Sequence, residues 1–192
     1  EGLHLEFKQS VFSPDLTELK NIKDQDAYNK AKKQKERSLH YRIIGSACAL
    51  LNTEGGEIFI GVHDKTGNIL GLSDDRKYGT FGQQKDYFKF LDEYKVKVYS
   101  LLKNNISGFN KECIGDMEYS EFRDAKGSRI NILCIPCNAI PRSGNPVQLI
   151  KKHDEDGKEI KPLKILLHRE QNFNNQLDGL EGLKFLQDRF PE

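Results

Sequence analysis

Asn52-Thr53-Glu54-Gly55-Gly56-Glu57-Ile58-Phe59-Ile60-Gly61-Val62-His63-Asp64 compresses a helix end, a glycine turn, a buried strand and a terminal carboxylate into one run. Gly55-Gly56 stops the preceding helix, because glycine takes the left-handed conformation that ends a helix without a Cβ penalty. Glu57 to Val62 is nearly continuous in apolar residues and includes β-branched Ile and Val, which suits a central strand covered on both faces. Asp64-Lys65-Thr66-Gly67-Asn68 then turns the chain. Ile69 to Leu72 returns as a short strand, so the segment predicts a hairpin with Asp64 at a strand end.

Working outward, Leu39, Ile43, Ala47 and Leu50 or Leu51 recur every three or four positions, which predicts a helix over about Leu39 to Leu51 with Ser38 as its cap. Leu3 to Lys8 alternates as a strand, with Leu3, Leu5 and Phe7 on the core face and His4, Glu6 and Lys8 on the other. Glu6 is therefore expected to project away from the core. Downstream, Tyr87, Leu91, Tyr94, Val98, Leu101 and Leu102 give a long amphipathic helix within Gln83 to Asn105. Met117 to Arg123 and Arg129 to Cys137 read as strands joined by the turn Asp124-Ala125-Lys126-Gly127-Ser128, and Val147 to Lys151 and Leu163 to Arg169 as a second pair. Leu180 to Phe190 closes the chain as a short helix. Interspersed helices and hairpins predict an α+β fold, a mixed or antiparallel sheet covered by amphipathic helices. One domain over 1–192 is expected, with a basic stretch at 20–37 and a C-terminal helix within 178–192.

The 192 residues can bury a substantial core, and 31% charged against 36% hydrophobic residues describes a folded chain with a highly charged surface. A formal net charge of +1 hides a local asymmetry, since Lys20, Lys23, Lys30, Lys32, Lys33, Lys35, Arg37 and Arg42 face only Asp24, Asp26 and Glu36 in the same stretch. No apolar run is long enough to cross a bilayer and no charged-then-apolar leader is visible, so no membrane is expected and the chain reads as intracellular, cytoplasmic or else nuclear. The four cysteines, Cys48, Cys113, Cys134 and Cys137, do not look like a disulfide framework and read as buried thiols.

A phosphodiesterase site needs hard oxygen ligands converging from different elements, since Mg²⁺ or Mn²⁺ prefers carboxylates and keeps waters to activate. Glu1, Glu6 and Asp64 can supply them if the first strand lies beside the Glu57 strand. The plain alternative makes Glu1 a terminus, Glu6 a surface carboxylate and Asp64 a turn former. Lys8, Lys30, Lys32, Lys33, Lys35, Arg37 and Arg42 are the candidates for phosphate contacts, or else decorate a solvated helix. No G-x-x-x-x-G-K-[ST] loop is present and Gly55-Gly56 leads into a strand, so no ATP is expected. Cys134 and Cys137 stand three apart on a strand and point to opposite faces, against zinc. Asp154-Glu155-Asp156-Gly157 lacks the later bidentate Glu of a calcium loop and reads as a hairpin tip. His40, His63 and His168 are candidate acid–base groups, His63 foremost because it neighbours Asp64.

Leu5-Glu6-Phe7-Lys8, together with Ala49-Leu50-Leu51 and the Asn52 to Asp64 run closed by Gly71, resembles the core of the Schlafen family, the Schlafen Alba-like domain. The resemblance covers residues 1–72; beyond them Leu166-Leu167-His168-Arg169 resembles the closing strand and arginine of the family. It implies a nucleic-acid-binding domain, and in several members a metal-dependent endoribonuclease acting on tRNA or other structured RNA through two glutamates and an aspartate. By motif those roles fall on Glu1, Glu6 and Asp64, with Mg²⁺ or Mn²⁺ as cofactor and Arg169 among the nucleic-acid contacts. The stretch 20–37 looks like an insertion relative to the family. Two other expectations stand beside the nuclease: a non-catalytic DNA- or RNA-binding module of a regulator, and a subunit that pairs as a homodimer or with a second Schlafen-like lobe.

Overall fold

Asp24, and not Ser38, starts the long helix. In the computed structural model, which describes residues 4–78, 81, 85–153, 158–170 and 173–190, helix α1 runs Gln25–Asn52 and the Asp24 carboxylate accepts the Ala27 N–H at 2.7 Å. Ser38 is exposed in mid-helix. The first half of α1 shows no apolar period because it stands in solvent, and its Ala, Lys, Gln and Glu residues hold helix by propensity and by continuity with the packed half. The basic stretch 20–37 is thus largely the outer half of α1. From Ile43 to Asn52 every residue is buried, more than the single stripe that the spacing predicts. Gly45, Ser46, Ala47, Cys48 and Ala49 are small enough for other elements to close around the helix on all sides.

Those elements are α+β, as expected. β1 (Leu5–Lys8), β2 (Gly56–Ile60), β4 (Glu118–Arg123) and β5 (Arg129–Cys137) form a mixed sheet in the order β1-β2-β5-β4, with β1 parallel to β2 and the other pairs antiparallel. β3 (Ile106–Ser107), β6 (Gln148–His153) and β7 (Glu159–Ile165) form a second sheet, and β8 (Leu167–Glu170) pairs with β9 (Phe173–Gln176) in a ribbon against α1. Besides a 3-10 helix at Thr17–Asn21, the described residues hold three further α-helices: α2 (Ser73–Lys77), α3 (Tyr87–Asn105) and α4 (Gly179–Arg189). α3 begins at Tyr87, behind its Asp86 cap and four residues after Gln83. The expected strand Ile69 to Leu72 reduces to one bridge, Val62 with Ile69, and the expected strand Leu163 to Arg169 breaks between β7 and β8. Asp154-Glu155-Asp156-Gly157 lies outside the described residues. No helix among those described is long and apolar enough to cross a membrane.

The opening run does more than end a helix. Asn52 is fully buried, and its amide donates to the carbonyls of Val147 and Leu167 at 2.9 and 2.8 Å while its carbonyl accepts the Val147 N–H at 2.9 Å. One side chain therefore ties the end of α1 to the entry of β6 and to β8. Gly56 has φ +149°, and a Cβ there would collide with the carbonyl of His4, whose oxygen accepts the Glu57 N–H at 2.8 Å. β1 can lie alongside β2 only because this position has no side chain. Gly56→Ala is expected to lower stability by about 2–3 kcal/mol, read by urea unfolding, and to loosen the β1–β2 amides in hydrogen exchange; unchanged protection of the Glu57 amide would contradict this.

Candidate functional site

The parallel pairing that the site requires is present, with Glu6 opposite Ile58 and Lys8 opposite Ile60. Gly61 and Val62 N–H groups close onto the Lys8 carbonyl at 2.8 and 3.2 Å, and the Asp64 carboxylate accepts the Gln9 N–H at 3.0 Å. Asp64 thereby clasps the end of β1. The facing of β1 is opposite to the expectation: Leu5 is 39% exposed while Glu6 is 5% exposed and turned inward. Its polar face is buried because matching partners meet it there.

Glu6 Oε1 receives the Lys8 ammonium and lies 3.1 Å from the Ser46 hydroxyl, which in turn accepts the Asn174 amide at 3.0 Å. Glu6 Oε2 receives the Arg169 guanidinium at 2.5 Å. Arg169 also donates to the Leu5 carbonyl at 3.0 Å and to Asn174 at 3.1 Å, and its side chain has no exposed surface. An arginine expected at a nucleic-acid surface therefore acts from below, as a clamp. Burial alone would push the Glu6 carboxyl up; hydrogen bonding and charge from Lys8, with Arg169 behind them, outweigh it and hold the group below its ordinary value.

Lys8 also reaches Asp64 Oδ2 at 3.7 Å, so one ammonium lies between the buried Glu6 and Asp64, whose side chain is 39% exposed. Above them opens a cleft of about 660 Å³ whose walls include Lys8, Leu39, Arg42, His63, Asp64 and Asp74. Lys35, one heptad before Arg42 on α1, points to this same side and pairs with Glu18 at 2.6 Å. Lys30, Lys33 and Arg37 share a different face of α1 by the helical period, and Lys32 stacks on the Tyr78 ring at 5.1 Å. The basic run is thus divided between faces instead of forming one patch. Cations and carboxylates are balanced on the cleft walls, with Lys8, Arg42 and Lys65 against Asp15, Asp64 and Asp74. Glu1 lies outside the described residues.

His63 Nδ1 accepts the N–H groups of Lys65 and Thr66 at 3.3 and 3.2 Å. With Nδ1 accepting, the neutral ring carries its proton on Nε2 and acts as a donor. His40, packed edge-on against Phe12, has its pKa pushed down by burial, and His168 packs at a tilt against Phe185; neither lines the cleft. Among the described residues no three His, Cys, Asp or Glu side chains gather as a metal-ligand set.

One residue that the sequence did not single out shapes this cleft. Asp75 is buried and accepts the N–H groups of Val11, Phe12 and Ser13 at 2.9, 2.9 and 2.7 Å and the hydroxyls of Ser10 and Tyr94. It folds the loop after β1 into the cleft wall that Ser10 and Ser13 provide. Burial, then the charge of Asp75, pushes the Tyr94 phenol well above its ordinary value, which keeps it a donor.

A family model described as Schlafen, AlbA_2 matches residues 1–109 of the chain. No curated protein matches it.

Proposed function

The chain belongs to the Schlafen AlbA_2 family, and from that premise we propose that it binds structured RNA over the Lys8–Asp64 cleft and cleaves it as a metal-dependent endoribonuclease. Family membership points to nucleic-acid binding; the cleavage step is carried by one observation, the convergence of Glu6 and Asp64 on the single cation position now held by the Lys8 ammonium. Two carboxylates on one cation are the donor chemistry that Mg²⁺ or Mn²⁺ takes, and Glu1 is the third carboxylate that the family resemblance implies. When bound, such an ion supplies a water of lowered pKa and charge stabilisation at the phosphorus.

The remaining work falls to the chain itself. Lys8, released from the two carboxylates, has a phosphate as its next anionic partner, and Arg42 across the cleft supplies a forked donor for the same group. His63 donates from Nε2 to a phosphate oxygen or to water. Arg169 holds Glu6 in place without touching substrate. The near-balance of charge in the cleft makes an added cation the natural means of drawing a polyanion onto the carboxylates.

Asp64→Ala tests this reading, because Asp64 is partly exposed and, among the described residues, its loss removes the Gln9 and Lys8 contacts. Cleavage of a structured RNA with Mg²⁺ or Mn²⁺ is expected to fall by about 100-fold or more while RNA binding persists. A second reading, the non-catalytic binding module, is favoured by the saturation of Glu6 with Lys8 and Arg169. Binding without cleavage by the native chain under either metal would establish it and end the nuclease proposal.

A further inference from the structure

A second cavity, of about 710 Å³, lies beside the first: Ser73 at the start of α2 lines one and Asp74 lines the other. Its charge is less balanced. Arg76 and Lys77 from α2, Lys85 ahead of α3 and Arg129 at the start of β5 converge there from three parts of the chain. The carboxylate on its wall, Asp124, has Oδ1 engaged by the N–H groups of Lys126 and Ser128 at 2.8 Å each. Cations this close repel one another, and in a cavity their field is focused on whatever anion enters.

The arginines are held for such a role. Arg76 lies over the Tyr87 ring at 5.0 Å and donates to the Lys85 carbonyl at 2.9 Å; Arg129 lies over the Phe88 ring at 5.6 Å with its Nε on Glu121 at 2.9 Å. The ring contact and the second hydrogen-bonded or ionic partner of each arginine restrict where its guanidinium can point. Tyr87 donates its hydroxyl to Asn131 Oδ1 at 2.7 Å, and the amide nitrogen of Asn131, a residue 5% exposed on the cavity wall, makes no hydrogen bond among the described residues. Phe88, which does not itself line the cavity, meets it through Arg129 and is 66% exposed, an aromatic ring open to a second planar group.

We propose that this cavity binds a nucleoside phosphate: the phosphate on Lys77, Lys85 and the Asn131 amide, the base against Phe88. The ligand is either a free nucleotide or one nucleotide of a strand whose following phosphates cross α2 toward Lys8. The cavity is of the size that holds small ligands, roughly 300–1,000 Å³. Recognition here does not depend on the carboxylate cleft being catalytic, so the two proposals fail separately.

NMR titration of the whole chain with 5′-AMP, adenosine, inorganic phosphate and a single-stranded RNA hexamer tests it. AMP is expected to shift the Asn131 side-chain amide and the Ile130 methyls and to bind at least about tenfold more tightly than adenosine. Lys77→Gln/Lys85→Gln, at two exposed lysines, should weaken AMP by a similar factor, and Phe88→Ala should weaken AMP but not inorganic phosphate. A hexamer that binds more tightly than AMP and also shifts the Arg42 and His63 signals identifies a strand; AMP as tight as the hexamer identifies a free nucleotide. Equal affinity for AMP and adenosine, an unaffected double variant, or shifts confined to the Lys8 cleft would overturn the assignment.

Discussion

Asp75→Ala is expected to destabilise the chain by about 3–5 kcal/mol, because it removes the shared acceptor of five donors in and beside the core, of which the Ser13 N–H keeps the Ser10 hydroxyl at 2.8 Å. Three are backbone N–H groups, of Val11, Phe12 and Ser13, and cannot turn away; the Ser10 and Tyr94 hydroxyls can rotate. Val11 is fully buried, and Phe12 packs on the rings of His40, Phe81 and Tyr94, so the loop cannot lift into water without exposing core. Asp75→Asn separates charge from geometry. An amide keeps one oxygen, and its nitrogen opposes either Val11 N–H or the Phe12 and Ser13 pair, so roughly half the loss should remain. Urea unfolding gives the totals, and hydrogen exchange at residues 11–13 locates the effect. A loss under about 1 kcal/mol for the alanine variant would mean that water replaces the carboxylate and that the loop is not held by it.

Asp75 also shows where sequence reading stops. Nothing local in Ser73-Asp74-Asp75 singles out its last carboxylate, and only the return of the chain past residues 10–13 makes it a hub. Elements whose signal is local were legible: the β4–β5 hairpin around Asp124 to Ser128, α3 from its spacing, and the glycine stop after α1. The start of α1 was not, since Asp24 and Ser38 are both good caps and the apolar period begins only where the helix meets the core. β9 escaped because Phe173-Asn174-Asn175-Gln176 carries little strand propensity and is held by pairing with β8. The β1–β2 pairing beneath the candidate site was a condition of that reading and is met, but the facing of β1 was inverted. Alternation shows that two faces differ; which one is buried depended on Arg169, 163 positions away in the chain from Glu6.

That distant contact makes Arg169→Met the stronger test of how the site is built. Methionine keeps much of the buried volume and removes the guanidinium, leaving Glu6 with Lys8 and Ser46 and the Leu5 carbonyl without its donor. Breaking a buried pair from one side costs about 3–5 kcal/mol, much of it the penalty on the charge left behind. Its dependence on pH identifies that charge. A carboxyl held below its unfolded value of 4.5 contributes stability that is present above that pH and is lost as pH falls through the folded value. Arg169 is part of what lowers Glu6, so the gap between native chain and variant should be largest near neutrality and shrink as pH falls below about 4.5, where Glu6 protonates first in the variant. Urea unfolding at neutral pH and at successively lower pH reads both quantities. A gap that stays constant across the acid range would assign the effect of Arg169 to its bonds with Leu5 and Asn174. Lys8 would then be the main counter-charge of Glu6, and a metal ion in the proposed mechanism would have to take over the charge of the ammonium as well as its place between Glu6 and Asp64.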